Sequence, residues 1–313
     1  MRADARHQLI NLAHSALLLL GMAATVWISA SAVFDPFTSA MAVLGFAAAT
    51  LLAPRAPKEA LLSLYRAKRL DARSFPGGVR ALEILAQRAE LPMAPALYYL
   101  PSAAPNAFAI GSRADSAVCV SDGLLRLLTP RELVGVLAHE VSHVAHGDLW
   151  IMGMADAMSR LTTLLSYLGQ FLLLLNIPLL LMGESVISWW CPLALILAPT
   201  VASLMQLALS RTREFDADRG AAALSGDAAG IASALAKLDR RMGRFWEELI
   251  LPGRRIPEPS LLRTHPPTAE RIARLKALAP APRSAPIEPP ATLAIPIKPV
   301  AGTPRLYWTG VWR

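Results

Sequence analysis

Charge is scarce in this 313-residue chain: Asp, Glu, Lys and Arg make up 17% of it, while 54% is apolar and the mean hydropathy is +0.40. Soluble domains carry roughly a quarter charged residues, so the apolar excess points to membrane spans. Cysteine is nearly absent. Cys119 and Cys191 are the two present, which excludes a disulfide framework and a cysteine-type zinc site; both read as buried, inert thiols. The chain also lacks an internal repeat and a glycine-rich phosphate loop, which argues against repeat arrays and P-loop nucleotide chemistry. The net charge of +8 has no basic face of its own. The Lys and Arg residues follow the apolar runs instead, which argues against nucleic acid as a partner.

Four uncharged apolar stretches are present: Leu9–Phe34, Pro36–Ala53, Leu161–Met182 and Val186–Leu209. Each has about the 17–25 residues a helix needs to cross a bilayer. The first is too long for a signal peptide and a second follows at once, so a retained hairpin is expected. Pro178 interrupts the third and predicts a kink there. Arg2 and Arg6 precede the first span, and Arg55, Lys58, Arg66, Lys68, Arg69 and Arg73 follow the second. Arg160 precedes the third, and Arg211 and Arg213 follow the fourth, whereas the hairpin tips hold Asp35 and Glu184. The positive-inside rule therefore puts the N-terminus and all long polar segments in the cytoplasm. The expected organisation is a transmembrane hairpin at 1–54, the first part of a cytoplasmic domain at 55–160, a second hairpin at 161–209 and the rest of the domain at 210–279. A Pro-rich tail at 280–313 is expected to be mostly disordered.

Within the polar segments, Ala60–Leu70 is basic and amphipathic. It reads as a helix, either on the membrane surface or as a plain connector. Phe75–Ala89 reads as a helix, and Ala96–Leu100, Asn106–Ile110 and Ala117–Val120 as strands. Thr129-Pro130-Arg131-Glu132 is a capping box with Pro at the first helical position. The helix it starts runs to about Ala145, with Gly147 as the stop signal. Arg211–Leu224, Ala228–Arg244 and Thr268–Leu278 complete a mainly α fold with a small β-sheet, an α+β protein.

The chemistry concentrates on that capped helix, in His139-Glu140-Val141-Ser142-His143. Histidines four apart share one helix face and can converge on one zinc ion. Glu140 beside them can act as general base toward an attacking water. With six His in the chain, chance produces this pattern in fewer than about 1% of such sequences. A catalytic zinc needs a third protein ligand. Glu214 is the candidate, with Asp218 on the same helix face as an outer-shell acceptor for a ligand imidazole. Spacing alone supports equally an acidic helix start in a favourable dipole position. His265, in a loop before the last helix, can donate to an oxyanion or be an ordinary loop histidine. His146 lies off the ligand face.

These residues carry a resemblance. Pro105-Asn106-Ala107-Phe108-Ala109, Val120-Ser121-Asp122-Gly123-Leu124-Leu125, the His139–His143 motif with Gly147-Asp148, Ser210-Arg211-x-Arg213-Glu214-Phe215-x-Ala217-Asp218 and His265-Pro266-Pro267-x-x-x-Arg271-Ile272 follow one another as in HtpX-type membrane zinc peptidases. Those are relatives of the CAAX prenyl endopeptidases, and the resemblance spans roughly residues 1–279. It implies a gluzincin-like domain holding one zinc per chain through His139, His143 and Glu214, with Glu140 catalytic. It implies Asp218 behind a ligand, His265 as a further catalytic candidate, and Asn106 and Arg271 on the substrate side. It also implies a multi-pass protein of the bacterial inner membrane that cleaves polypeptides, membrane proteins among them, in quality control. Prenyl-protein cleavage and a membrane scaffold with a structural zinc are the competing readings. The sequence leaves substrates, oligomeric state and regulation open.

Overall fold

A computed structural model of the chain describes residues 2–52, 58–182, 188–249, 268–278 and 285–288. It divides into two compact units, one of residues 1–54 and 150–212, the other of 55–149 and 213–313. The second hairpin thus joins its unit from Trp150, earlier than the 161 expected.

The first unit is built from α1 (Arg2–Ser31), α2 (Pro36–Leu52), most of α7 (Asp148–Leu181) and the first part of α8 (Trp190–Ser225). Three of these helices are long and apolar enough to cross a membrane: Ala13–Ser31, Asp148–Pro178 and Trp190–Ser225. The apolar stretch of α2 among the described residues, Pro36–Gly45, is shorter, so three of the four expected spans meet the length criterion. Their exposed faces carry Leu17, Leu20, Phe37, Leu164, Phe171, Leu174 and Leu204, a surface suited to lipid rather than water. Inside, Met22, Ala155, Met158, Ala202 and Leu209 pack together, and Ser159 Oγ donates to Gln206 Oε1 at 2.6 Å. Pro178 is accommodated inside α7.

The second unit holds a four-stranded sheet in the order β1-β2-β4-β3. Its strands are β1 (Lys68–Leu70), β2 (Ala96–Leu100), β3 (Ala107–Gly111) and β4 (Ser116–Ser121). β2 and β4 run parallel, and the outer pairs are antiparallel. All six residues of β4 are buried, as a central strand covered on both faces requires. Its helices are α3 (Lys58–Leu64), α4 (Pro76–Arg88), α5 (Asp122–Leu127), α6 (Pro130–His146), the end of α8, α9 (Ala228–Leu249) and α10 (Thr268–Leu278). Leu82, Leu85, Tyr99, Val118, Leu124, Leu133, Leu137, Val141, Ile231 and Leu275 form the core between them.

Two expectations need amending. Ala60–Leu70 is a two-turn helix followed by a strand, not one amphipathic helix. Arg66 takes a left-handed backbone with φ 51°, and β1 then pairs with β2, so long-range pairing overrides the local pattern. Helix Arg211–Leu224 is not separate, because α8 runs unbroken from Trp190 to Ser225. Of the tail, residues 285–288 are described. Ile287 is buried in the core of the second unit, its N–H donates to Ser225 O, and Arg88 bonds both Leu224 O and Ala285 O.

Candidate metal centre

The site begins with the capping of α6. Thr129 Oγ1 accepts from the Glu132 N–H while the Glu132 carboxylate accepts from the Thr129 N–H, removing two orphan donors from the helix start. Glu132 also binds Ser233 and Lys237 of α9 at 2.6 and 2.7 Å. At the other end Gly147 has φ 71°, a left-handed cap that other residues adopt at a cost. Between these two caps, His139 and His143 stand one turn apart, their rings edge to face at 4.6 Å.

Glu214 arrives from α8. The three side chains bring their ligand atoms together. His139 Nε2 and His143 Nε2 are 3.1 Å apart, His139 Nε2 and Glu214 Oε2 3.4 Å, and His143 Nε2 and Glu214 Oε1 3.7 Å. Ligands about 2.0–2.1 Å from a tetrahedral ion lie about 3.3–3.4 Å from one another, so these separations suit a zinc-sized cation. Among the described residues this trio is the group able to hold a metal.

Charge makes the same point. Glu140, Asp148, Glu214 and Asp218 are buried here with Arg213 and Arg271. Four carboxylates against two guanidiniums leave two negative charges when the imidazoles are neutral. Buried charge of one sign is costly unless countered, and a dication counters it. For His139, burial works against the cation. Hydrogen bonds to Asp218 and Glu214 and the charge of Glu214 outweigh it and hold the imidazole up at about 10. A metal at the three ligand atoms takes the place of that proton.

Both histidines are supported on the side away from the trio. Asp218 Oδ1 lies 3.1 Å from His139 Nδ1, and Asp148 Oδ2 lies 2.8 Å from His143 Nδ1. Arg271 on α10 is buried. It donates from Nε and Nη2 to Asp218 at 2.7 and 2.6 Å, and its Nη1 forms an ion pair with Glu214 Oε2 at 2.8 Å. All three of its guanidinium nitrogens thus lie against carboxylates. Arg274, one turn further along α10, stacks over Phe215 at 3.7 Å.

Asn106 leads into β3. Its N–H donates to Ser121 Oγ, and its C=O accepts from the Ser121 N–H. His146 is turned back on its own helix, with Nδ1 2.8 Å from Ser142 O. Cys119 is buried beside the site, and burial together with the Glu140 charge pushes its thiol up to about 12, so it is no thiolate ligand. His265 lies outside the described residues. The sequence alone assigned Asp148 and Arg213 no role at the metal site. Their signals were the Gly147-Asp148 that directly follows the histidine helix and the place of Arg213 directly before Glu214.

Two histidines and a carboxylate converging on one point, with a glutamate beside the first histidine, on a chain with apolar helices of spanning length, define a membrane-bound metallopeptidase. Residues 79–279 match the model of peptidase family M48, and the chain belongs to that family. It is 38% identical over 243 residues to a "Protease HtpX homolog" of Methylibium petroleiphilum, covering 70% of this chain and 81% of that protein. A namesake from Kineococcus radiotolerans is 41% identical over 239 residues, covering 70% and 78%. Another from Pelotomaculum thermopropionicum is 37% identical over 236 residues, covering 70% and 81%.

Proposed function

We propose that this protein is a zinc-dependent endopeptidase that hydrolyses peptide bonds of membrane or misfolded proteins at the cytoplasmic face of the bacterial inner membrane, in membrane-protein quality control. One zinc per chain would be held by His139, His143 and Glu214. The observation that carries this reading is the convergence of those three ligand atoms at 3.1–3.7 Å with Glu140 next to the first of them in the chain. A closed structural site takes four protein ligands, whereas a catalytic one takes three and keeps a position open. The trio here favours the open kind.

When bound, the cation supplies Lewis acidity, which favours ionised water and polarises a carbonyl. Glu140 accepts the proton of the attacking water on its carboxylate and returns it to the leaving amine. Asp218 holds the proton on His139 Nδ1, which keeps Nε2 a lone-pair donor. Arg271 fixes Asp218 and Glu214 in turn. His265 is the proposed oxyanion donor. Asn106 and β3, which is an outer strand of the sheet and packs on α6, suit an extended substrate paired along the strand edge. Four spans with the peptidase unit in the cytoplasm follow from the Lys and Arg distribution.

The central test is Glu140→Gln. It is expected to keep stoichiometric zinc and lose at least about 100-fold in cleavage of an unfolded protein, the low end for a general base. Full activity in that variant rejects the mechanism. For orientation, Ala72→Cys is expected to resist a membrane-impermeant thiol reagent in intact spheroplasts and react after lysis. Labelling from outside rejects the cytoplasmic placement.

A further inference from the structure

We infer that Asp148 and Arg213 form a positioning relay for His143, equivalent to the one that Asp218 and Arg271 form for His139, and that the pair locks His143 to Glu214. This rests on the metallopeptidase reading above, since it assigns a role toward the proposed metal.

The geometry is as follows. His143 Nδ1 is 2.8 Å from Asp148 Oδ2. The other oxygen, Asp148 Oδ1, is 3.2 Å from Arg213 Nη1. Asp148 is 1% and Arg213 6% exposed, so water does not screen the chain of contacts. The second arm runs from His139 Nδ1 to Asp218 Oδ1 and from Asp218 to Arg271, which also reaches Glu214 Oε2. Each histidine therefore has its own carboxylate, and each carboxylate its own guanidinium. Arg213 precedes Glu214 on α8, so the arms meet at the third ligand and close a ring around the trio.

Two local features make the Asp148 arm possible. Asp148 is five residues beyond His143, too far along a straight helix to face it. The left-handed turn at Gly147, φ 71°, ends α6 and sends the chain into α7 with Asp148 brought back onto the ring. Arg213 sits one residue from a ligand on α8, so its ion pair ties the end of α6 to the ligand-bearing turn of α8.

The chemistry follows from the imidazole. A neutral ring binds metal through Nε2 only when its proton sits on Nδ1, and a carboxylate acceptor there fixes the tautomer, the orientation and the basicity. A buried carboxylate is costly without a cation beside it. Arg213 supplies that cation and holds the second oxygen still. A purely structural ion pair at the α6–α7 junction would leave the metal's ligand field untouched.

The experiment uses the full-length protein in detergent micelles. It measures Zn2+ affinity by competition with a chromophoric chelator, the visible absorption spectrum of the Co2+-loaded protein, and the melting temperature of the chelator-treated protein. Asp148→Ala is expected to bind Zn2+ about 10–100-fold more weakly, the usual effect of removing such a partner, and to shift the Co2+ bands. Arg213→Gln is expected to weaken binding in the same direction, and the double variant little more than Asp148→Ala alone, since both act through one relay. Asp148→Ala combined with Asp218→Ala is expected to lose the product of the two single effects. Where Asp148→Ala does not fold, Asp148→Asn is the decisive variant, with the same two metal readouts. Unchanged Zn2+ affinity and an unchanged Co2+ spectrum in a folded Asp148 variant overturn the inference, even if its melting temperature falls. A wild-type protein that binds neither ion overturns the metallopeptidase reading beneath it.

Discussion

Gly220 of α8 lies close against the histidine helix, and substituting it tests the tertiary origin of the site. A Cβ built at Gly220 would lie 2.1 Å from Ser142 Oγ and 3.2 Å from both Ser142 Cβ and His146 Cε1. The first contact is impossible. It can be relieved by rotating the Ser142 hydroxyl, which gives up its 3.2 Å contact with His146 Nδ1. The two 3.2 Å contacts remain and require the helices to part by a few tenths of an ångström. Overpacking of this kind costs about 1–3 kcal/mol. At about 2–4 °C per kcal/mol for a unit of this size, Gly220→Ala is expected to melt several degrees below wild type. The functional effect is larger in proportion. Asp218 lies two residues and Glu214 six residues before Gly220 on α8, so parting the helices moves a ligand and an outer-shell carboxylate away from His139. Metal affinity is expected to fall about 10-fold, at the lower end of the range for disturbed outer-shell support. The assay is thermal melting together with chelator competition. Ser142→Ala combined with Gly220→Ala removes the 2.1 Å clash but keeps the Ser142 Cβ and His146 contacts, so it is expected to recover little of either loss. Wild-type melting and wild-type metal affinity in Gly220→Ala would refute the close approach of the two helices.

Three further outcomes are expected. Asp218→Ala frees His139 Nδ1 and leaves Arg271 without its bidentate partner, so Zn2+ binding should weaken about 10–100-fold, read by the same competition. Glu132 is opposed by burial, but its bonds to Lys237, Ser233 and Thr129 prevail and hold the carboxyl below its ordinary 4.5. A group lowered on folding contributes stability above its unfolded value and loses it as pH falls through the folded one. Melting temperature should therefore drop on acidification below about pH 4.5, with a shallower drop in Glu132→Gln, and identical acid limbs would reject this. Ile287→Ala removes a buried anchor from the tail. Burial of that size is worth about 2–5 kcal/mol in a core, but the cost here is capped at the docking energy of the segment. A lower melting temperature and faster proteolytic removal of the tail are expected, and neither change would mean the segment is not held.

Much of the site was legible before folding because its signals are local. The Thr129–Glu132 box, Pro130 and Gly147 mark the bounds of α6 through hydrogen bonds made within four residues. The spacing of His139 and His143 follows from the helical repeat alone. β2, β3 and β4 were readable within a residue at each end because alternation and turn residues outline them. β1 was missed, since Lys68-Arg69-Leu70 has no alternating pattern and becomes a strand only by pairing with β2. The docking of Ile287 was missed for a like reason: a lone isoleucine in a Pro-rich stretch carries no periodic signal, and its partners lie far earlier in the chain.

The sequence by itself determined that the chain enters a membrane, that one capped helix presents two histidines on a single face, and that a glutamate stands ready beside them. Each of these depends on composition or on neighbours within a turn or two. Only the tertiary structure brought Glu214 within reach of the two histidines, set Arg271 against Asp218 and Glu214, and placed Asp148 and Arg213 beside the centre. Those outcomes depend on how closely α8 and α10 approach α6, which is set by close contact at positions such as Gly220 and by pairing of charges shut away from water. Neither leaves a mark in the local pattern of residues.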